Sequence, residues 1–130
     1  MLLADDQAAF QAQTIKLLNA EFEIIGSVGN GLDLINAAAR LDPDVVVLDI
    51  TMPEVDGIEA ARQLQRAGCR AKLVFLTAHD DPDYVNSALD AGGSAYIVKN
   101  RMVSDLVPAI RAVIANRRFV SPTISLDEKA

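Results

Sequence analysis

Cysteine is almost missing from this sequence. Cys69 stands alone, so no internal disulfide can form. It sits between a charged, helix-like stretch and a strand-like one with no histidine nearby, which reads as packing rather than a reactive thiol. Histidine is just as scarce. His79 is the one imidazole, which excludes a histidine-built metal centre. A solvent-facing loop position is expected for it, the alternative being the rim of a cleft, where it would affect water access. Long apolar runs are lacking too. None approaches the ~20 residues that cross a bilayer, and Met1-Leu2-Leu3-Ala4-Asp5 turns acidic without the basic start of a signal peptide. The expected compartment is the cytosol, with no membrane partner. Positive charge is in deficit, with a formal net charge of −6. That argues against nucleic-acid contact by this chain itself, because phosphate contacts need a basic surface.

What is present is a hydrophobic fraction of 51% in 130 residues, enough for the core of one domain. Strand-like and helix-like segments alternate. Leu2 to Ala4 is a short apolar start, and Gln7 to Asn19 has helical spacing. Glu21 to Val28 reads as a strand ended by Gly29-Asn30-Gly31, and Leu32 to Leu41 as a helix broken at Asp42-Pro43-Asp44. Val45 to Leu48 is continuously apolar, as in strands buried on both faces. Gly57 to Ala67 is helical, Lys72 to Thr77 a buried strand, and Asp81 to Ala91 a helix ended by Gly92-Gly93. Ala95 to Val98 is the fifth strand. Ser104 to Asn116 is the last helix, with Ser104 as N-cap and Pro108 near its first turn. Strict alternation with right-handed crossovers implies a parallel sheet covered on both faces. Ser121 to Ala130 reads as a polar tail or the start of a linker.

Functional groups of such sheets gather at the carboxyl ends of the strands. Here those ends carry Asp5-Asp6, Asp49, Thr77 and Lys99. If the first and third strands are neighbours, Asp5, Asp6 and Asp49 share one cleft. Two like charges ~4 Å apart cost roughly 4 kcal/mol at an effective dielectric of ~20. The cleft therefore needs compensation. Hard oxygen ligands suit Mg²⁺, and Lys99 supplies a fixed positive charge. One Asp after a strand is usually a turn or cap residue. The conjunction at four strand ends is what points to chemistry.

These residues resemble the receiver domain of two-component response regulators, over nearly the whole chain. "VVVLDITMPEVDGIEAARQL" is similar to the phosphoacceptor strand, loop and helix of that family. "LVFLTAHDD" resembles its hydroxyl-bearing strand, and "ALDAGGSAYIVKN" the approach to its lysine. The spacing and the tail resemble the NarL/FixJ-type branch. The resemblance implies a doubly wound α/β sandwich whose five-stranded parallel sheet has the order 2-1-3-4-5, as residues 1–120. It implies Asp49 as phosphoacceptor and Asp6, Asp49 and the backbone carbonyl of Thr51 as Mg²⁺ ligands, with Asp5 acting through water. Thr77 and Lys99 would bind the phosphoryl group, and Tyr96 would be the switch aromatic, unless it is simply an aromatic at the sheet edge. A sensor histidine kinase would be the donor, a phosphorylation-enhanced homodimer the assembly, and DNA a partner only through an output domain not in this chain. Such a domain catalyses its own phosphorylation and dephosphorylation and is not an enzyme in the usual sense.

Two departures stand out. Gln7 follows the acid pair where many relatives have His, with no expected effect on the metal site, and Asn100 follows Lys99 where other branches have Pro, so no cis-proline is expected there. The short first strand suggests a trimmed amino terminus or a late start. Competing readings fit less well. A haloacid-dehalogenase-type phosphatase needs a second Asp two residues after the first, where Thr51 stands. A flavodoxin-like flavin carrier needs a phosphate loop where Asp5-Asp6 would repel phosphate. A phosphorylation-independent pseudo-receiver does not need the intact acid set and Lys99.

Overall fold

A computed structural model describes residues 1–122. Six parallel strands form one sheet: β1 (Leu2–Ala4), β2 (Gly26–Val28), β3 (Val45–Leu48), β4 (Lys72–Thr77), β5 (Gly93–Val98) and β6 (Phe119–Val120). Their spatial order is β2-β1-β3-β4-β5-β6. The helices are α1 (Ala8–Leu18), α2 (Gly31–Leu41), α3 (Gly57–Arg66), α4 (Pro82–Asp90) and α5 (Met102–Ile114), with a 3₁₀ turn at Lys99–Arg101. This is the expected doubly wound α/β architecture, extended by one short edge strand. Among the described residues no helix is long and apolar enough to cross a membrane, and no peptide bond is cis.

The central strands alternate between two cores. Val46 and Leu48 of β3 face the side covered by α2, α3 and α4, where Leu34, Ala60, Ala61, Leu64 and Val85 pack. Val45 and Val47 face the side of α1 and α5, with Leu18, Leu106, Ile110 and Val113. Side chains alternate along a strand, so a continuous apolar run fills both layers at once. Each fully buried Val or Leu contributes about 1.5–3 kcal/mol. Gly57 opens α3 hard against the end of β3. A Cβ there would lie 1.9 Å from the carbonyl oxygen of Asp49, and the Gly57 amide donates to the Ile50 carbonyl at 2.7 Å. Asp56 caps the helix by accepting from the Glu59 amide at 2.8 Å.

Four expectations are corrected. β2 covers Gly26–Val28, not Glu21 to Val28, because its one neighbour β1 offers three register partners. The amides of Glu21 and Phe22 instead close on the Leu18 carbonyl. Ser104 is not the N-cap of α5. The helix starts at Met102, and the Ser104 hydroxyl donates to the Arg101 carbonyl and to Asp105. Pro108 lies inside the helix on an exposed face, where the carbonyl it leaves unpaired can meet water. Ser121 is buried rather than part of a tail: its amide donates to the Tyr96 carbonyl at 2.9 Å and its hydroxyl accepts from the Val98 amide at 3.2 Å. Residues 123–130 of the expected tail lie outside the described residues.

Asp105 ties these pieces together. It is buried and accepts from Arg101 Nε at 2.8 Å, Ser121 Oγ at 2.9 Å and Ser104 Oγ at 3.0 Å. Burial pushes its carboxyl up, but the bonds from Arg101, Ser121 and Ser104 outweigh this and hold it below the ordinary value. Asp105→Ala should cost about 2–3 kcal/mol of stability, since the buried Ser121 hydroxyl loses its acceptor and the charge-assisted bond from Arg101 is lost. With the folded value below the unfolded one, this contribution is full above about pH 4 and disappears as pH falls through the folded value. Urea unfolding of parent and variant at neutral and at acid pH measures both effects. A difference that did not shrink on acidification would contradict the account.

Candidate functional site

The acids meet because β1 and β3 are neighbours in register. Ala4 lies opposite Leu48, and the Asp49 amide donates to the Ala4 carbonyl at 3.0 Å. Asp5 and Asp49 therefore leave adjacent strands side by side. Both are buried, while Asp6 is exposed. Carboxylate oxygens of Asp5, Asp6 and Asp49 all lie within 4.8 Å of one another. Two main-chain amides help fix them: Gln7 N donates to Asp5 Oδ1 at 2.8 Å, and Ile50 N to Asp49 Oδ1 at 2.6 Å. Three oxygen-donor side chains, one open to solvent, are the donor set a hard divalent cation such as Mg²⁺ takes.

Lys99 follows β5 and reaches past the end of β4 to this cluster. Its Nζ lies 2.8 Å from Asp49 Oδ2 and 2.9 Å from Asp5 Oδ2. Burial pushes the ammonium pKa down, yet hydrogen bonds and charge from Asp49 and Asp5 outweigh it and raise the value above the ordinary one. Lys99 is thus held charged. Its Nζ also donates to Gln7 Oε1 at 2.9 Å and lies 4.2 Å from the centroid of the Phe10 ring. Nothing in the local sequence pattern marks Gln7 and Phe10 as parts of the site. Their one signal was proximity to the Asp5-Asp6 pair.

The structure brings Asp5, Asp6, Asp49 and Lys99 together, and sets Thr77, Thr51 and Tyr96 around a second, adjoining network. Thr77 ends β4 with its side chain fully buried, and its hydroxyl accepts a long bond from the His79 amide at 3.5 Å. His79 is half-buried rather than a plain solvent-facing residue. Its Nε2 is 2.7 Å from Thr51 Oγ1, and its ring stacks on Tyr84 at 4.2 Å between centroids. The loops after β3 and β4 are therefore linked. Tyr96 is fully buried on β5, not an edge aromatic, and its hydroxyl donates to the His79 carbonyl at 2.6 Å. Burial, then the negative charge of Asp49, raises its phenol pKa well above the ordinary value.

Comparison with known proteins agrees with this geometry. The family described as response regulator receiver domain matches residues 1–111. The transcriptional regulatory protein YvfU of Bacillus subtilis (strain 168) is 33% identical over 98% of this chain and 64% of its own length. The transcriptional regulatory protein PdtaR of Mycobacterium tuberculosis is 37% identical over 93% of this chain and 59% of its own. The chain thus spans roughly 48–64% of the length of the curated relatives it matches. A two-component response regulator of the LuxR family from Aurantimonas sp. SI85-9A1 superimposes with a TM-score of 0.89 at 29% identity, covering 95% of this chain and 89% of that one. A DNA-binding response regulator of the LuxR family from Staphylococcus aureus does so with a TM-score of 0.82 at 30% identity, covering 86% and 95%. The acid cluster with its lysine, the sheet order that assembles it and these likenesses agree, and the chain belongs to the response regulator receiver domain family of two-component systems.

Proposed function

We propose that this domain takes a phosphoryl group from the phosphohistidine of a sensor histidine kinase onto Asp49, in a Mg²⁺-dependent reaction, and switches conformation to control an output. The observation that carries the reading is the Lys99 ammonium shared by Asp49 and Asp5 at 2.8 and 2.9 Å, beside exposed Asp6. A carboxylate oxygen of Asp49 attacks phosphorus in line. The P–N bond breaks, and the histidine of the donor leaves with the electron pair and takes up a proton. Lys99 exchanges its bond to Asp49 for one to a phosphoryl oxygen, where negative charge collects. Asp6, Asp49 and the Thr51 carbonyl would hold Mg²⁺, with Asp5 acting through water, and the ion would supply further neutralisation of those oxygens. Water later hydrolyses the acyl phosphate in the same site.

The switch would run through Thr77 and Tyr96. The Thr77 hydroxyl leaves the His79 amide for a phosphoryl oxygen, and the Tyr96 ring follows into the space released. A tenfold population shift needs about 1.4 kcal/mol of differential binding, within reach of one hydrogen bond to a charged group. The output fits transcription, through a DNA-binding domain outside this chain. A weak homodimer strengthened by phosphorylation is part of the proposal. In α5, Leu106, Ile110 and Val113 are buried in the core, so Ile114 and Val103 are the apolar side chains left for it.

Three measurements test the proposal. Incubated with acetyl phosphate and Mg²⁺, the chain should gain the mass of one phosphoryl group, and Asp49→Asn should fold normally without that gain. Labelling of Asp49→Asn at the parental rate would sink the assignment. Mg²⁺ titration should show Asp6→Asn weakening binding by roughly tenfold or more, beyond the effect of Asp5→Asn, as expected for loss of a direct charged ligand. Equal affinities in both variants and the parent would count against the ligand set. Thr77→Ala should still accept phosphoryl but lose most of the NMR shift change that beryllofluoride induces at Tyr96 and in α4. A full parental pattern would remove Thr77 from the switch.

A further inference from the structure

Gln7 occupies the N-cap of α1, with extended backbone at φ −95° and ψ 98°. A side chain at that position ordinarily accepts from the amides of the first turn. Among the described residues Gln7 makes no such bond, and the first turn has no acidic residue in its place. The amide oxygen goes instead to Lys99 Nζ, 2.9 Å away and 92 positions along the chain. Phe10, three residues further on, puts its ring 4.2 Å from the same ammonium. Residues three apart share a helix face, so the start of α1 presents one acceptor and one aromatic face to one cation. That start is itself held down: Gln11 Nε2 donates to the Val28 carbonyl at 2.9 Å.

An ammonium has three N–H donors. Those of Lys99 go to Asp5, Asp49 and Gln7. Two of these partners have competing duties. Asp5 and Asp49 belong to the carboxylate cluster, and a cation or a phosphoryl group there draws their oxygens away from Lys99. Gln7 and Phe10 carry no charge. They neither attract a divalent cation nor repel a phosphoryl group, yet both stabilise an ammonium, the ring through its negative face. An acid in place of Gln7 would bind Lys99 more tightly but would add a fourth negative charge where a phosphoryl group must enter.

We propose that Gln7, with Phe10, is a charge-neutral seat that keeps the Lys99 ammonium aimed at Asp49 after the carboxylates have turned to their other partners. Gln7 is then a positioning residue for phosphoryl transfer. This deepens, and rests on, the reading of Asp49 as phosphoacceptor. The residue follows the acid pair directly in sequence, yet it acts on the lysine from the far end of the chain.

The test uses Gln7→Met, which keeps the length and removes the acceptor, and Gln7→Glu, which keeps the acceptor. The main-chain bond from residue 7 to Asp5 survives in both. The chain has four lysines, so ¹⁵N-lysine labelling gives a simple ammonium spectrum, with Lys99 assigned through Lys99→Arg. In saturating Mg²⁺ the parent should show a solvent-protected Lys99 ammonium signal. Gln7→Met should lose it and Gln7→Glu should keep it. With acetyl phosphate, Gln7→Met should lower the maximal labelling rate about tenfold while the Mg²⁺ midpoint and the KM for the donor stay parental. A parental ammonium signal in Gln7→Met overturns the seat, and so does a parental maximal rate. A slower rate with raised donor KM and an unchanged ammonium signal also overturns it, because that pattern is general damage to the site. If the parent itself takes no label, the phosphoacceptor reading fails, and the ammonium signal alone decides the seat.

Discussion

An ammonium between two buried carboxylates is the condition on which this site depends. Asp5 and Asp49 leave neighbouring strands with almost no access to water, and at that separation their mutual repulsion is worth several kcal/mol. Lys99 offsets it with bonds of 2.9 and 2.8 Å. Breaking a buried pair of this kind is costly because it strands an uncompensated charge. The same arrangement leaves Asp5, Asp6, Asp49 and Lys99 with an excess of negative charge, and Asp6 stays exposed beside them. The cluster is therefore stable at rest and still receptive to a further cation.

The rest of the fold exists to bring those groups within reach. Lys99 leaves a strand separated from β3 by the whole of β4, and only the parallel sheet sets their carboxyl ends on one edge. Both cores are packed by the same short apolar strands, so the edge is a rigid platform. Close backbone approaches finish it. Gly57 has no side chain because the Asp49 carbonyl fills the place a Cβ would take, and that contact fixes where α3 begins relative to β3.

A second network lies against the first. Thr51, His79, Tyr84 and Tyr96 connect the loops after β3 and β4 to the interior of β5. His79 is its centre, using its ring on Thr51 and Tyr84, its amide on Thr77 and its carbonyl on Tyr96. Thr77 belongs to the second network through its bond with His79, and it ends the strand that lies between Asp49 and Lys99. A change at Asp49 that recruits the Thr77 hydroxyl would thus free the His79 amide and disturb the carbonyl that Tyr96 holds. Just beyond the same carboxyl end of β5, the Asp105 bonds to Arg101, Ser104 and Ser121 anchor the start of α5 to the residue that follows β6.

The alternation of periods, the apolar run Val45 to Leu48 and the acids and lysine at strand ends were all legible in the sequence, because each is a local pattern that chain geometry converts directly into structure. Element ends were less legible. β2 was cut short by the length of its neighbour, β6 has two residues and shows no periodicity, and Ser104 was displaced from its capping place by a 3₁₀ turn that extends the helix backwards. The roles of Gln7, Phe10, His79 and Ser121 were not legible at all. Each acts on a partner brought near by the sheet, as Gln7 does on Lys99 across 92 positions. A polar side chain in a loop has many possible partners. The sequence by itself determined which charges the site would contain, and tertiary packing alone decided which neutral groups would stand beside them, because hydrogen bonds and ring faces act over a few ångströms that no local pattern encodes.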